Sequence, residues 1–150
     1  MYRKLLIALE NSRADEAVVE HAANLAKQMR SSILVVHVAD GWAARNYERL
    51  KLVESDEMKE DRRYLEGIVE RLRREGIEAS SELGCGEPAE EILRLAKAAG
   101  CDLLVMGSHG HRFWADLILG STVHEVRHRT NIPVLLVRGK RAGEPAEGAV

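Results

Sequence analysis

Four short apolar runs punctuate the chain: Leu5–Leu9, Ile33–Val38, Leu103–Met106 and Val134–Val137. Each is nearly continuous rather than alternating, and rich in branched residues. A strand covered on both faces, as in a parallel sheet, reads this way. A fifth run, Ile77–Leu83, mixes apolar with polar residues and predicts a strand nearer an edge. Between the runs the apolar period lengthens to that of a helix. Over Ala14–Arg30 the residues Ala17, Val18, His21, Ala22, Leu25 and Met29 fall along one face, with Asn11 or Ser12 available to cap the start. The stretch Tyr47–Glu75 is dense with charge of both signs, yet Leu65, Ile68, Val69 and Leu72 form a helical stripe. Gly76 then stands where a terminating glycine belongs. Glu90–Ala99 follows Pro88, which suits a first turn, and is closed by Gly100. Leu117–His128 predicts the last helix, stopped before Asn131-Ile132-Pro133.

The elements therefore alternate β-α-β-α-β-α-β-α-β. That order predicts an α/β fold, a five-stranded parallel sheet doubly wound with right-handed crossovers. No internal repeat or linker divides it, so residues 1–138 read as one domain. From Gly139 to Val150 the apolar period is lost, and a disordered tail is expected. The irregular stretch Ala39–Tyr47 follows the second strand and is placed to lie over a ligand.

Composition narrows the picture further. A chain of 150 residues can bury a core without disulfide or metal staples. Apolar residues make up 45% and charged residues 31%, an ordinary globular balance. The net charge of -2 supplies no global field toward nucleic acid or an anionic membrane. Cys85 and Cys101 are far apart and in no metal-ligand spacing, which points to a reducing, cytoplasmic setting. The run Leu5–Leu9 is too short for a signal sequence or a membrane span, so no membrane insertion is expected.

The chemistry is concentrated after the fourth strand, in Met106-Gly107-Ser108-His109-Gly110-His111-Arg112. In doubly wound sheets, ligands bind beyond the carboxyl ends of the strands, where the winding reverses. Glycines there let the backbone approach phosphate oxygens and turn its N–H groups toward them. Gly120-Ser121-Thr122 follows, read as lying near the start of the last helix, where hydroxyls, N–H donors and the positive dipole end would meet an anion. Singly, each glycine reads as an ordinary turn and Ser121 as a helix cap; together they suggest a two-sided phosphate clamp.

The spacing Gly107-x2-Gly110-x9-Gly120-Ser121 resembles the ATP-binding pattern of the universal stress protein family. The resemblance extends through Leu34-Val35-Val36-His37-Val38, Gly86-Glu87-Pro88-Ala89-Glu90-Glu91-Ile92, Cys101–Met106 and Asn131–Val137, nearly the whole of residues 2–138. It implies an adenine nucleotide alpha hydrolase-like fold with strand order 3-2-1-4-5. It also implies a stress-response module holding ATP, with or without magnesium. Gly107, His109 and Gly110 would wrap ribose and phosphates, with Met106 just before them. Gly120, Ser121 and Thr122 would hold the phosphate tail. Ala8, Leu9 and Glu10 would line the adenine and ribose pocket with Val38. A homodimer through Val134–Val137 is implied as well, and, by family analogy alone, a protein partner such as a membrane transporter. Glu10 departs from the family's usual Asp; its extra methylene moves the carboxylate that would meet the ribose.

Other patterns lead elsewhere. Gly84-Cys85-Gly86-Glu87-Pro88-Ala89 spells G-x-G-x-x-A, but it follows the third strand, Pro88 lacks an N–H, and Glu87 would repel a pyrophosphate. It reads as a plain turn. His124 and His128 stand one helical turn apart, as metal ligands can, without a third ligand to complete a site. They read as a solvated face, as does the charged helix Glu48–Glu75. Trp42, Phe113 and Trp114 are too few, in mixed charge, for nucleic-acid stacking. No G-x4-G-K-[ST] loop is present, so rapid hydrolysis is not expected. A binding module with at most slow hydrolysis is the leading reading. The alternatives are a slow ATPase or adenylyl-type enzyme, and a nucleotide-free interaction domain.

Overall fold

In the computed structural model, residues 1–39, 56–108 and 113–139 are described, those of 113–120 by their backbone course alone. The elements follow in the order β1 (Lys4–Leu9), α1 (Asp15–Met29), β2 (Ser32–Ala39), α2 (Asp56–Arg74), β3 (Ala79–Cys85), α3 (Pro88–Ala99), β4 (Leu103–Gly107), α4 (Phe113–Arg129) and β5 (Val134–Val137). The five strands are all parallel and lie in the order β3-β2-β1-β4-β5, as the resemblance implied.

The continuous apolar runs are explained by burial on both faces. Leu5, Ile7 and Leu9 of β1 pack with Val18, Val19, Ala22 and Leu65 under α1 and α2. Leu6 packs the other way, with Leu34, Val36, Leu104, Met106, Ile92 and Val126 under α3 and α4. Leu5, Leu6 and Ile7 are wholly buried. Each such side chain contributes about 1.5–3 kcal/mol relative to an exposed one. The chain thus winds α1 and α2 onto one face, then α3 and α4 onto the other, and the reversal falls between β1 and β4.

Several local expectations shift. The buried stripe of α1 is Asp15, Val18, Val19, Ala22, Ala23 and Ala26, while His21 is exposed. Beside Asp15, alanines and valines make up the fully buried part of this face, while Ala17 and Leu25 pack against it partly buried. β3 starts at Ala79, two residues later than its apolar pattern suggests, because buried Ile77 belongs to the turn out of α2. α3 begins at Pro88, with Glu87 as its cap accepting from the Glu90 N–H at 2.9 Å. The start of the Tyr47–Glu75 helix, the Ala39–Tyr47 stretch beyond Ala39, and the tail beyond Gly139 lie outside the described residues.

Candidate functional site

The switch point lies where β1 and β4, paired through Ala8 and Met106, end side by side. Glu10 follows β1, and Gly107 ends β4. Gly107 has ordinary strand geometry, with no positive φ. A Cβ placed on it would meet Val18 Cγ2 at 3.6 Å and Glu10 Oε1 at 3.9 Å, which are ordinary contacts. Neither backbone conformation nor neighbouring side chains require glycine here. Gly107 is buried, and the Glu10 carboxylate stands beside it, so an acceptor group lies next to the end of β4.

The remaining predicted site residues divide by strand alternation. Ala8 and Val38 are partly buried against the α3–α4 layer, on the same face as Met106. The Met106 side chain is itself 1% exposed within that core, and Leu9 is buried on the opposite face under α1 and α2. Leu9 and Met106 therefore turn core side chains away from solvent and reach the strand ends only through their backbone. His109 and Gly110 lie outside the described residues.

The second arm of the clamp requires a correction. Gly120, Ser121 and Thr122 do not open the last helix; α4 begins at Phe113, and they lie well inside it. The good helix formers between Ala115 and Leu119 carry the helix forward, and one internal glycine costs only about 1 kcal/mol against alanine. Backbone N–H groups inside a helix donate along it. Ser121 is exposed and Thr122 buried, so the Ser121 hydroxyl is the solvent-facing group of this arm.

The loop leaving β1 is organised by residues that sequence reasoning missed. Neither Asn11 nor Ser12 caps α1: the cap position is Ala14, which makes no side-chain cap bond. Instead, buried Asp15 accepts from the Glu10 N–H at 2.9 Å, from the Ser12 N–H at 3.1 Å and from the Tyr64 hydroxyl at 2.6 Å. Asn11 sits at φ 61, a left-handed geometry that Asn tolerates, and donates to Asp61 at 3.0 Å. The His37 Nδ1–H donates to the Leu9 carbonyl at 2.8 Å, and its Nε2 lies 3.5 Å from Asp61 Oδ2. Burial, and then the hydrogen bond to the Asp15 carboxylate, push the Tyr64 phenol far up, so it remains a neutral donor. The charged α2 is thus more than a solvated face. It also meets α1 through Arg71–Glu16 at 2.9 Å, and the residue after it, Glu75, pairs with Lys27 at 2.5 Å.

The G-x-G-x-x-A segment is a structural turn. The Glu87 carboxylate already occupies the α3 N-terminus, and a Cβ at Gly84 would lie 3.2 Å from Val38 Cγ2. The His124 and His128 rings meet edge-on with centroids 4.3 Å apart. Among the described residues no group of three or more His, Cys, Asp or Glu side chains is arranged to hold a metal ion. No helix among them is long and apolar enough to cross a membrane.

Known proteins share this architecture. Residues 1–138 match the model of the universal stress protein family. Universal stress protein YxiE of Bacillus subtilis is 30% identical over 148 residues, covering 92% of this chain and all of that protein. Universal stress protein MJ0577 of Methanocaldococcus jannaschii is 27% identical, covering 95% of this chain and 98% of that protein. The solved structure of MJ0577 superposes with a TM-score of 0.79, covering 95% of this chain and 99% of that one. A universal stress protein from Archaeoglobus fulgidus in complex with dAMP has the same fold, with a TM-score of 0.67 at 24% identity and 91% and 98% coverage. With a family match that runs from the first strand through the last, and the strand order to go with it, this chain belongs to the universal stress protein family.

Proposed function

We propose that this chain is a regulatory module that binds an adenine nucleotide, ATP with or without magnesium, at the carboxyl ends of β1 and β4. The observation that carries the reading is Gly107: a glycine that the fold does not need, beside a carboxylate, at the switch point of the sheet. Room left by a missing side chain suits the close approach of a sugar or phosphate to backbone. The fit is good on this side. Glu10 would accept from ribose hydroxyls, Ala8 and Val38 would flank the base, and Gly107 with His109 and Gly110 would follow the phosphates. On the far side the Ser121 hydroxyl would reach the phosphate tail, with Gly120 and Thr122 shaping the helix around it. The dAMP complex of the Archaeoglobus fulgidus neighbour supports this choice of ligand class.

Nothing in this set of residues supplies a phosphate-gripping lysine, so the nucleotide is read as a bound signal, with at most slow turnover. A homodimer through β5 completes the proposal. Among the described residues that strand pairs on one side only, with β4, and it carries Leu136, which is 40% exposed. An apolar edge strand of this kind invites a second copy.

Calorimetry of the purified protein with magnesium-ATP, GTP and AMP tests the function. Saturable binding that prefers adenine, and is abolished by Gly110→Val in a folded protein, is expected. Affinity unchanged by Gly110→Val would remove the glycine loop from the site.

A further inference from the structure

We propose that α2, which contributes nothing to the glycine pattern, sets the geometry of the ribose-facing loop through two side-chain clasps. Asp61 acts on Asn11 and His37, and Tyr64 acts on Asp15. This makes His37, Asp61 and Tyr64 positioning residues for the ligand, and it rests on the nucleotide reading above.

The loop between β1 and α1 makes few regular backbone bonds and would otherwise be free to adopt many geometries. Yet each residue from Leu9 to Ser12 is held at a defined atom. Leu9 is held at its carbonyl by His37, Glu10 and Ser12 at their N–H groups by the two oxygens of Asp15, and Asn11 at its side chain by Asp61. Asp15 lies 2% exposed and depends for its third bond on Tyr64. Asp61 and Tyr64 stand three residues apart on α2, the spacing that puts two side chains on one helical face. Both meet the loop. The Glu10 side chain projects from backbone that is tied to Asp15 and hence to α2. A small displacement there would swing the carboxylate away from a ribose, since positioning errors of an ångström are costly.

His37 joins the two clasps. A carbonyl only accepts, so Nδ1 must carry the proton toward Leu9, and this leaves Nε2 facing Asp61. The Nδ1–H bond ties the end of β1 to β2, and when Nε2 is also protonated it faces Asp61 Oδ2 at 3.5 Å and extends the tie to α2, next to Val38 at the proposed base site.

The test uses the full chain and two measurements, amide exchange of the ligand-free protein and calorimetry with magnesium-ATP. Tyr64→Phe and Asp61→Ala are each expected to accelerate exchange at Glu10 and Ser12 selectively, and to weaken ATP about tenfold. His37→Asn, which preserves a donor toward Leu9, should stay closer to the wild-type affinity than His37→Leu. Leu72→Val serves as a control: it is buried at the far end of α2 and should lower stability without singling out the loop. ATP binding indifferent to Tyr64→Phe and Asp61→Ala would overturn the positioning role alone. So would losses no larger than those of Leu72→Val. Absence of ATP binding by the wild-type protein would overturn the nucleotide reading and the positioning role with it, whatever the loop amides do.

Discussion

Replacing Gly107 with alanine separates what the fold requires from what a ligand requires. The added methyl would sit 3.6 Å from Val18 Cγ2 and 3.9 Å from Glu10 Oε1, distances that demand no rearrangement. The backbone is a strand without positive φ, so alanine adopts it freely. Under those conditions a glycine-to-alanine change stabilises by about 0.4–1 kcal/mol, by restricting the unfolded chain. For a domain of this size that amounts to a rise of roughly 1–4 °C in Tm. On the nucleotide reading, the same methyl beside Glu10 would hold the ligand off the strand end. Losing one or two hydrogen bonds to a charged ligand, at about 1.5–3 kcal/mol each, weakens binding from about tenfold to more than a hundredfold. Differential scanning calorimetry and ATP titration on the same preparation measure both effects. A variant that melts at or above the wild type but binds ATP weakly is the expected outcome. Unchanged ATP affinity would refute the close approach, and a large loss of stability would refute the claim that the fold does not need this glycine.

Other perturbations probe the rest of the account. Asp102 accepts from the Arg3 and Lys4 N–H groups at 2.9–3.1 Å; burial pushes its carboxyl up, but these bonds outweigh it and hold it below the usual range. Because the folded value is lowered, the stabilisation is complete above the ordinary carboxylate range and lost as pH falls through the folded value. Asp102→Ala should cost about 1–3 kcal/mol near neutrality, and denaturant titrations should show the gap from wild type narrowing below about pH 4. Leu104→Ala, at a wholly buried position between β1 and β5, should cost about 2–5 kcal/mol by chemical denaturation; a loss under 1 kcal/mol would contradict the packing described for β4. Leu136→Lys should leave the monomer folded and shift sedimentation toward it, whereas an unaltered dimer would exclude the β5 edge. Glu10→Asp should preserve or tighten ATP binding by calorimetry, and complete loss would give Glu10 a different role.

The sheet was legible because burial on both faces leaves nearly continuous apolar runs, and the strand order followed from the resemblance carried by the glycine spacing. What escaped depends on contacts between distant segments. Asp15 reads as an ordinary acidic residue in a first turn. Its role appears only when Tyr64, 49 residues away, is brought onto it. Asp61 and Arg71 look like solvated charges within a charged helix, yet each reaches a residue before Met29. The apolar stripe of α1 holds for Ala17, Val18, Ala22 and Leu25, while His21 is exposed and the small residues Val19, Ala23 and Ala26 complete the buried face, because alanines weigh little in an apolar stripe. The helix α4 runs past Gly120 because local propensity over Ala115–Leu119 outweighs one glycine, a balance the glycine pattern conceals.

The most direct measurement is a map of backbone amide shifts during titration with magnesium-ATP. Shifts confined to residues 8–12, 36–38, 107–110 and 120–122 are the expected result. The opposite end of the sheet offers the contrasting location, a cleft of about 320 Å³ lined by Lys27, Arg30, Ser31, Gly76 and Glu78 among others. Shifts centred there, or none in a folded protein, would contradict a nucleotide site at the carboxyl ends of β1 and β4.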